Sequence, residues 1–509
     1  MVETLVELLN TGNGAHMALG APETPSMSYD DLRQLVNSTG RQLAGLDIEA
    51  NDRVAIVLPN GPVMATMFLA VASFATAAPL NPAYREEEFE FYLSDLNAKL
   101  LIVLEGDETP ARAAAAKRGV KIVEVTDQST EGAGSFSLVS TQLEKDPVRA
   151  APDDIALVLH TSGTTSRPKI VPLSQRNVCA SAANIAASLN LDSDDLNLNI
   201  MPMFHIHGLI AALLAPLSVG AAVSCSTGFN ALKFFGWLDE VKPTWYTAVP
   251  TMHQAIFSRA ARNEDIVKTA RLRFVRSSSS SLPPQVMVAV EETFGCPVIE
   301  AYGMTEAAHQ MASNPLPPAQ HKAGSVGVPA GPEVRIMNEA GEFLQQGGIG
   351  EIVIRGPNVT AGYENNPDAN AEAFPDDPDG GGHWFRTGDQ GTFDADGYLS
   401  LTGRLKEIIN RGGEKISPRE VDEILLDHEA IDQVVTFAMP HDKLGEDVAA
   451  AIVLSEGADI TERDVRSFAA ERLADFKVPR KIVFLDEIPK GATGKLQRIG
   501  LAEKLGLVS

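Results

Sequence analysis

Ten residues, HTSGTTSRPK at 160–169, bring together five hydroxyl side chains, a glycine, an arginine and a lysine. They follow the apolar run IALVLH, which reads as a strand. Backbone N–H groups and hydroxyls at a strand end can cradle an anion, and Thr161, Ser162, Gly163, Thr164 and Thr165 supply them, with Lys169 as the cation. The phosphate loop of NTPases, G-x-x-x-x-G-K-[ST], is excluded. No glycine directly precedes Lys169, and Ile170 follows it where a hydroxyl would be needed. A second lysine, Lys495 in PKGATGK, is flanked by glycines in the manner of a loop that moves.

The elements that must position these residues alternate. Strand-like runs at 54–58, 100–104, 155–160 and 273–276 are separated by helical patterns at 28–43, 86–95 and 284–294, which predicts α/β layering. The stretch PDDPDGGG at 375–382 reads as a loop. Beyond it, helices at 418–427 and 461–473 and strands at 434–438 and 449–454 predict a compact second α/β unit. The expected division is 1–402 for a large, multi-layer N-terminal domain and 403–509 for a small, mobile C-terminal domain.

Composition narrows the partners. The 509 residues carry a net charge of −25, which argues against nucleic acid and against an anionic membrane. Two uncharged runs, 63–78 and 209–225, are expected as buried helices, because both are interrupted or fenced by proline, and no membrane span is expected. Three cysteines without C-x-x-C spacing suggest a reducing compartment. With no signal peptide and no S-K-L ending, the cytoplasm is expected.

The order of the motifs is more specific than any one of them. TSGTTSRPK is followed by PMFHIHG at 202–208, EAYGMTE at 300–306, WFRTGD at 384–389, GRLKEIINRGGEKISP at 403–418 and PKGATGK at 489–495. In this the chain resembles the acyl-adenylate-forming superfamily over nearly its whole length. The group includes acyl-CoA synthetases, luciferases and adenylation domains. The resemblance implies ATP, Mg²⁺ and coenzyme A as cofactors and co-substrates. Residues Thr161–Thr165 and Lys169 would hold the β- and γ-phosphates, Tyr302 would lie against adenine, and Thr305 would touch the α-phosphate. Glu306 would ligate Mg²⁺, and Asp389 would accept the ribose hydroxyls with help from Arg404. Lys495 would serve adenylation, Lys406 would be the hinge, and Gly412 and Gly413 would line the CoA tunnel. His205 would stand near the reacting carboxylate. Ile170 departs from the family, which usually has glycine there, and Ser166 also replaces a common glycine.

Choice of acid should reside in the segments RSSSSSLPP from Arg276 and TEAAHQM from Thr305. Donors from Ser279, His309 and His205 suit a small polar acid with a second carboxylate, since a buried charge demands partners. The stretches at 76–95, 244–256 and 313–327 most resemble the oxalate–CoA ligase group, which implies oxalate as the short, dicarboxylic substrate. A ligase for another short acid such as malonate remains open, as do a carrier-protein adenylation module and a non-catalytic nucleotide-binding regulator.

Overall fold

A computed structural model of the chain describes residues 2–139, 144–161, 168–375, 382–489 and 498–508. It is mixed α/β, with a large N-terminal and a smaller C-terminal part. The first compact unit comprises Met1–Thr161, Lys169–Val334 and Ile354–Phe374, and the second takes in Arg335–Val353 and Pro375–Ser509.

Two sheets build the first unit. The seven-stranded sheet runs in the order Phe136–Leu138, Lys121–Asp127, Leu100–Leu104, Arg53–Val57, Thr76–Pro79, Ile155–Thr161 and Lys169–Ser174. Its last two strands form an antiparallel hairpin in which Thr161 faces Lys169 and His160 faces Ile170. The nine-stranded sheet holds Leu196–Asn199, Trp245–Ala248, Phe274–Ser277 and Val298–Met304 as successive parallel neighbours. It then reverses, so that His309–Ser313 returns antiparallel to Val298–Met304. Strands with both faces covered can be apolar throughout, and Trp245–Ala248 and Phe274–Ser277 are buried at every residue.

Local signals place the helices. Ser28 caps Tyr29–Gly45 by accepting from the Asp31 amide, and Ser174 caps Gln175–Ser188 in a reciprocal box with Asn177. The 86–95 pattern folds as the helix Glu86–Asp95, with three glutamates in its first turn, where the helix dipole favours negative charge.

Neither long apolar run is a helix throughout. The first is the helix Pro62–Phe74 followed by the strand Thr76–Pro79, because Ala75 is extended at φ −148° and ends the helix. The second begins as the π-helix His207–Leu214, continues through Ala215–Leu217, and turns at Gly220 (φ +77°) into the strand Ala222–Cys225. Among the described residues no helix is long and apolar enough to cross a membrane.

The second unit holds most of a four-stranded sheet ordered Glu333–Met337, Gly350–Arg355, Phe385–Phe393 and Leu399–Arg404. Its other sheet is centred on the long antiparallel pair Ile431–His441 and Gly445–Leu454, with the helices Pro418–Leu426 and Glu462–Ala470 packed through Val421, Leu425, Val465 and Ala469. Most of the loop expected at 375–382 lies outside the described residues.

Candidate active site

The stretch expected to cradle an anion is flanked by two paired antiparallel strands. Thr161 closes one strand and Lys169 opens the next, while Ser162, Gly163, Thr164 and Thr165 lie outside the described residues. Ile170, the departure from the family pattern, turns into the core at 5% exposure and packs with Val57, Phe89 and Val158. The hairpin is fastened to Glu306 by a segment that its sequence does not advertise. Thr360 Oγ1 donates to the Pro172 carbonyl at 2.7 Å, and the Thr360 amide donates to the Glu306 carbonyl at 2.8 Å. The Glu364 amide donates to the Ile170 carbonyl. Tyr363 completes the connection: its hydroxyl donates to Glu306 Oε1 at 2.9 Å, and Lys169 Nζ stands 4.3 Å from its ring centroid. A cation over an aromatic face is held without being neutralised, so it keeps its charge for an anion.

Four of the expected site residues ride on one turn. Tyr302, 7% exposed, is near the end of Val298–Met304; Thr305 and Glu306 occupy the short 3₁₀ turn Thr305–Ala307; His309 begins the returning strand. The turn is tight enough to need Gly303, where a Cβ would come within 1.8 Å of the His309 carbonyl oxygen. Ala308 and His309 both have positive φ, +47° and +106°. Such conformations cost about 1–3 kcal/mol per non-glycine residue and persist where surrounding contacts impose them. Asn358 Nδ2 supplies two such contacts, donating to the carbonyls of Ala307 and Gln310.

His309 belongs to a buried polar cluster at the carboxyl ends of the parallel strands, where sites of open α/β sheets lie. Its ring stacks on His207 with centroids 4.8 Å apart. His207 Nδ1 is 3.0 Å from Ser279 Oγ, and its Nε2 is 2.6 Å from Thr247 Oγ1. Ser279, at φ +72°, is itself in the left-handed region. Beneath the two rings is Arg276, fully buried, with Nη1 3.3 Å from His309 Nε2 and 3.4 Å from His207 Nε2. Its Nη2 donates to Gln310 Oε1 at 3.2 Å. Burial pushes the guanidinium down to about 9.

Sequence reasoning selected Ser279 and His309 but passed over His207, Arg276, Thr247 and Gln310. A signal existed for two of them. Arg276 interrupts an apolar strand at a core position, and His207 repeats the histidine of PMFHIHG two residues on. His205, the histidine selected instead, is part-buried and packs against Phe204, with ring centroids 4.5 Å apart.

The second unit carries the remaining residues. Asp389 and Arg404 are cross-strand partners, with Nε and Oδ1 3.1 Å apart. Lys406 is exposed in the short turn Leu405–Glu407. Gly412 and Gly413 form the two-residue turn between Ile409–Arg411 and Glu414–Ile416, with φ +63° and +100°. Positive φ at both central residues is what such a hairpin turn demands, so the backbone alone explains both glycines. Lys495 lies outside the described residues. Just beyond it in the chain, Arg498 bonds Asp422 at 2.7 Å and Glu407 at 3.2 Å.

Comparison with known proteins identifies the family. Residues 11–364 match the family described as AMP-binding enzyme, and 420–495 match the AMP-binding enzyme C-terminal domain. The oxalate–CoA ligase of Arabidopsis thaliana is 47% identical over 484 residues, covering 93% of this chain and 92% of that one. The oxalate–CoA ligase of Saccharomyces cerevisiae is 40% identical, covering 96% and 94%. Among solved structures, ATP-bound MatB from Rhodopseudomonas palustris superposes with a TM-score of 0.89 at 27% identity and 99% coverage of both chains. The chain belongs to the AMP-binding enzyme family. Within it, the protein is an enzyme of the acyl-CoA synthetase class.

Proposed function

We propose that the protein activates oxalate, forming oxalyl-adenylate from ATP and then oxalyl-CoA. One carboxylate oxygen attacks the α-phosphorus as the bond to pyrophosphate breaks; the CoA thiolate then attacks the acyl carbon and AMP leaves. Both steps move negative charge at the α-phosphate, so fixed donors and cations carry most of the catalysis. Thr161–Thr165 and Lys169 hold the β- and γ-phosphates, Tyr302 packs on adenine, Thr305 meets the α-phosphate, and Asp389 with Arg404 holds the ribose.

Glu306 is a hard oxygen ligand suited to Mg²⁺. Among the described residues no three His, Cys, Asp or Glu side chains gather to bind a metal by themselves, which suits an ion completed by phosphate and water oxygens. When bound, Mg²⁺ offsets phosphate charge. Lys495 serves the first half-reaction. The chain from 403 onward then turns about Lys406, bringing Gly412 and Gly413 to the CoA arm.

The observation that carries the acid is the polar cluster in which part-buried Ser279 meets the buried rings of His207 and His309. Relatives acting on long or aromatic acids need an apolar lining, whereas buried donors reward a second carboxylate. His205 attends the reacting carboxylate.

A panel of oxalate, malonate, butyrate, hexanoate and a cinnamate, assayed for AMP and pyrophosphate, tests both levels. Oxalate should be preferred. Replacing Ser279 or His309 by alanine should lower kcat/KM for oxalate by roughly 10- to 100-fold, the effect of leaving a buried polar partner unpaired. Hexanoate or cinnamate outrunning oxalate would remove the acid assignment; ADP and phosphate as products would remove the adenylate.

A further inference from the structure

We propose that Arg276 is a positioning residue that fixes both His207 and His309 as neutral rings protonated on Nδ1, leaving the Ser279 hydroxyl hydrogen for the acid. The use made of that hydrogen rests on the oxalate reading above; the tautomers do not.

A guanidinium has five N–H donors and no acceptor, so whatever hydrogen-bonds to it must offer a lone pair. Arg276 Nη1 lies 3.3 Å from His309 Nε2 and 3.4 Å from His207 Nε2. Both Nε2 atoms therefore carry the lone pair, and in a neutral imidazole the proton is then on Nδ1. An imidazolium at either position would set two positive charges side by side in a buried place, which is unfavourable. Thr247 fits the same scheme. Its hydroxyl donates to His207 Nε2 across 2.6 Å, and its oxygen, 3.4 Å from Arg276 Nη1, shares with His207 Nε2 one of the two hydrogens on that nitrogen.

The consequence passes along the chain of bonds. With its proton on Nδ1, His207 donates to Ser279 Oγ across 3.0 Å. Ser279 accepts there and so has its own O–H to give elsewhere. Were the tautomer reversed, the serine would have to spend that hydrogen on His207.

Arg276 cannot swing away to relax the arrangement. Gln310 Oε1 accepts from its Nη2 at 3.2 Å, and Gln310 cannot flip, because its Nε2 donates to Ser188 Oγ at 2.9 Å and to the Ala330 carbonyl at 3.2 Å. No carboxylate among the described residues pairs with Arg276, whose shift comes from burial alone. An internal salt bridge is therefore not its purpose, and its charge is left to act on the rings and on whatever anion they hold.

The test begins with the full-length protein labelled with ¹⁵N-histidine, free of nucleotide and acid. Long-range ¹H–¹⁵N spectra, assigned with His207→Gln and His309→Gln variants, should show Nδ1–H tautomers at both rings. An Nε2–H tautomer or an imidazolium at either ring in the wild type overturns the proposal, whatever the variants do. In Arg276→Met, which keeps bulk but has no donor, at least one ring should change tautomer or become a mixture.

A kinetic arm compares oxalate with oxamate, which has an amide in place of the second carboxylate. Arg276→Met should lower the oxalate-to-oxamate ratio of kcat/KM by roughly tenfold or more, the size expected when a hydrogen bond to a charged group is lost. Equal losses on both acids would mean a merely structural role. A wild type inactive on oxalate but with both rings Nδ1-protonated overturns the acid reading while supporting the tautomer assignment.

Discussion

Tyr363 donates a 2.9 Å hydrogen bond to the carboxylate of Glu306. The same ring lies under the ammonium of Lys169. One aromatic side chain therefore positions the proposed metal ligand and the proposed phosphate cation together. Tyr363→Phe should keep the ring and the lysine while depriving Glu306 of a donor. Loss of such a donor costs about 1–3 kcal/mol, so the Mg²⁺ concentration for half-maximal ATP–pyrophosphate exchange should change several-fold. An unaltered Mg²⁺ titration would reduce the hydrogen bond to a structural tie.

The two half-reactions should separate under mutation. Lys495→Ala should slow adenylation by roughly 100-fold or more, the loss seen on removing a fixed transition-state partner, yet spare the conversion of supplied acyl-adenylate to thioester. Lys406→Pro, which fixes φ at the proposed pivot, should show the opposite bias. Equal losses in both steps for both variants would contradict domain alternation.

Acid should destabilise the protein partly through His253. Burial pushes this imidazole down to about 4, below the ordinary value of 6.5. As pH falls, the unfolded chain binds the proton first. The stability His253 contributes is therefore complete above pH 6.5 and lost by about pH 4, on the order of 3 kcal/mol in all. Denaturant titrations of His253→Leu should show a correspondingly flatter pH dependence across that window, and a wild-type slope retained by the variant would refute the assignment.

The cysteines should be silent. Burial pushes Cys179, Cys225 and Cys296 each up to about 12. At pH 8 the thiolate fraction is then about one in ten thousand, and the thiolate is the reactive form. Native protein should leave a disulfide reagent unreacted over an hour and yield three thiols in guanidinium. Prompt labelling of any cysteine in the folded protein would show that its burial is broken by local opening.

Much of this was legible in the residues, but unevenly. Helix 86–95 and strand 100–104 can be read because their signals, an acidic first turn and an apolar run, are local. The facing of Thr161 and Lys169 cannot, since a hairpin partner is chosen by hydrogen bonds across the sheet. The two apolar runs misled for a related reason: periodicity alone does not separate a buried helix from a buried strand, and the break depends on Ala75 or Gly220. For the candidate site, the motif EAYGMTE points to Glu306 and the segment TEAAHQM to His309. Tyr363 and Arg276 act from neighbouring segments, and only the folded chain brings them to those residues.

The turn from Tyr302 to His309 also limits how this enzyme can be retargeted. Groups proposed for adenine, the α-phosphate, the metal and the acid stand within eight consecutive residues, braced by a glycine that admits no side chain. A library at His309 would therefore sample broken nucleotide sites along with new acid preferences. Ser279, on a different strand end and joined to the proposed acid cluster through His207, offers an engineer a freer position. The same asymmetry would bear on natural divergence: descendants with altered acid preference should differ first at the serine run and last at the turn.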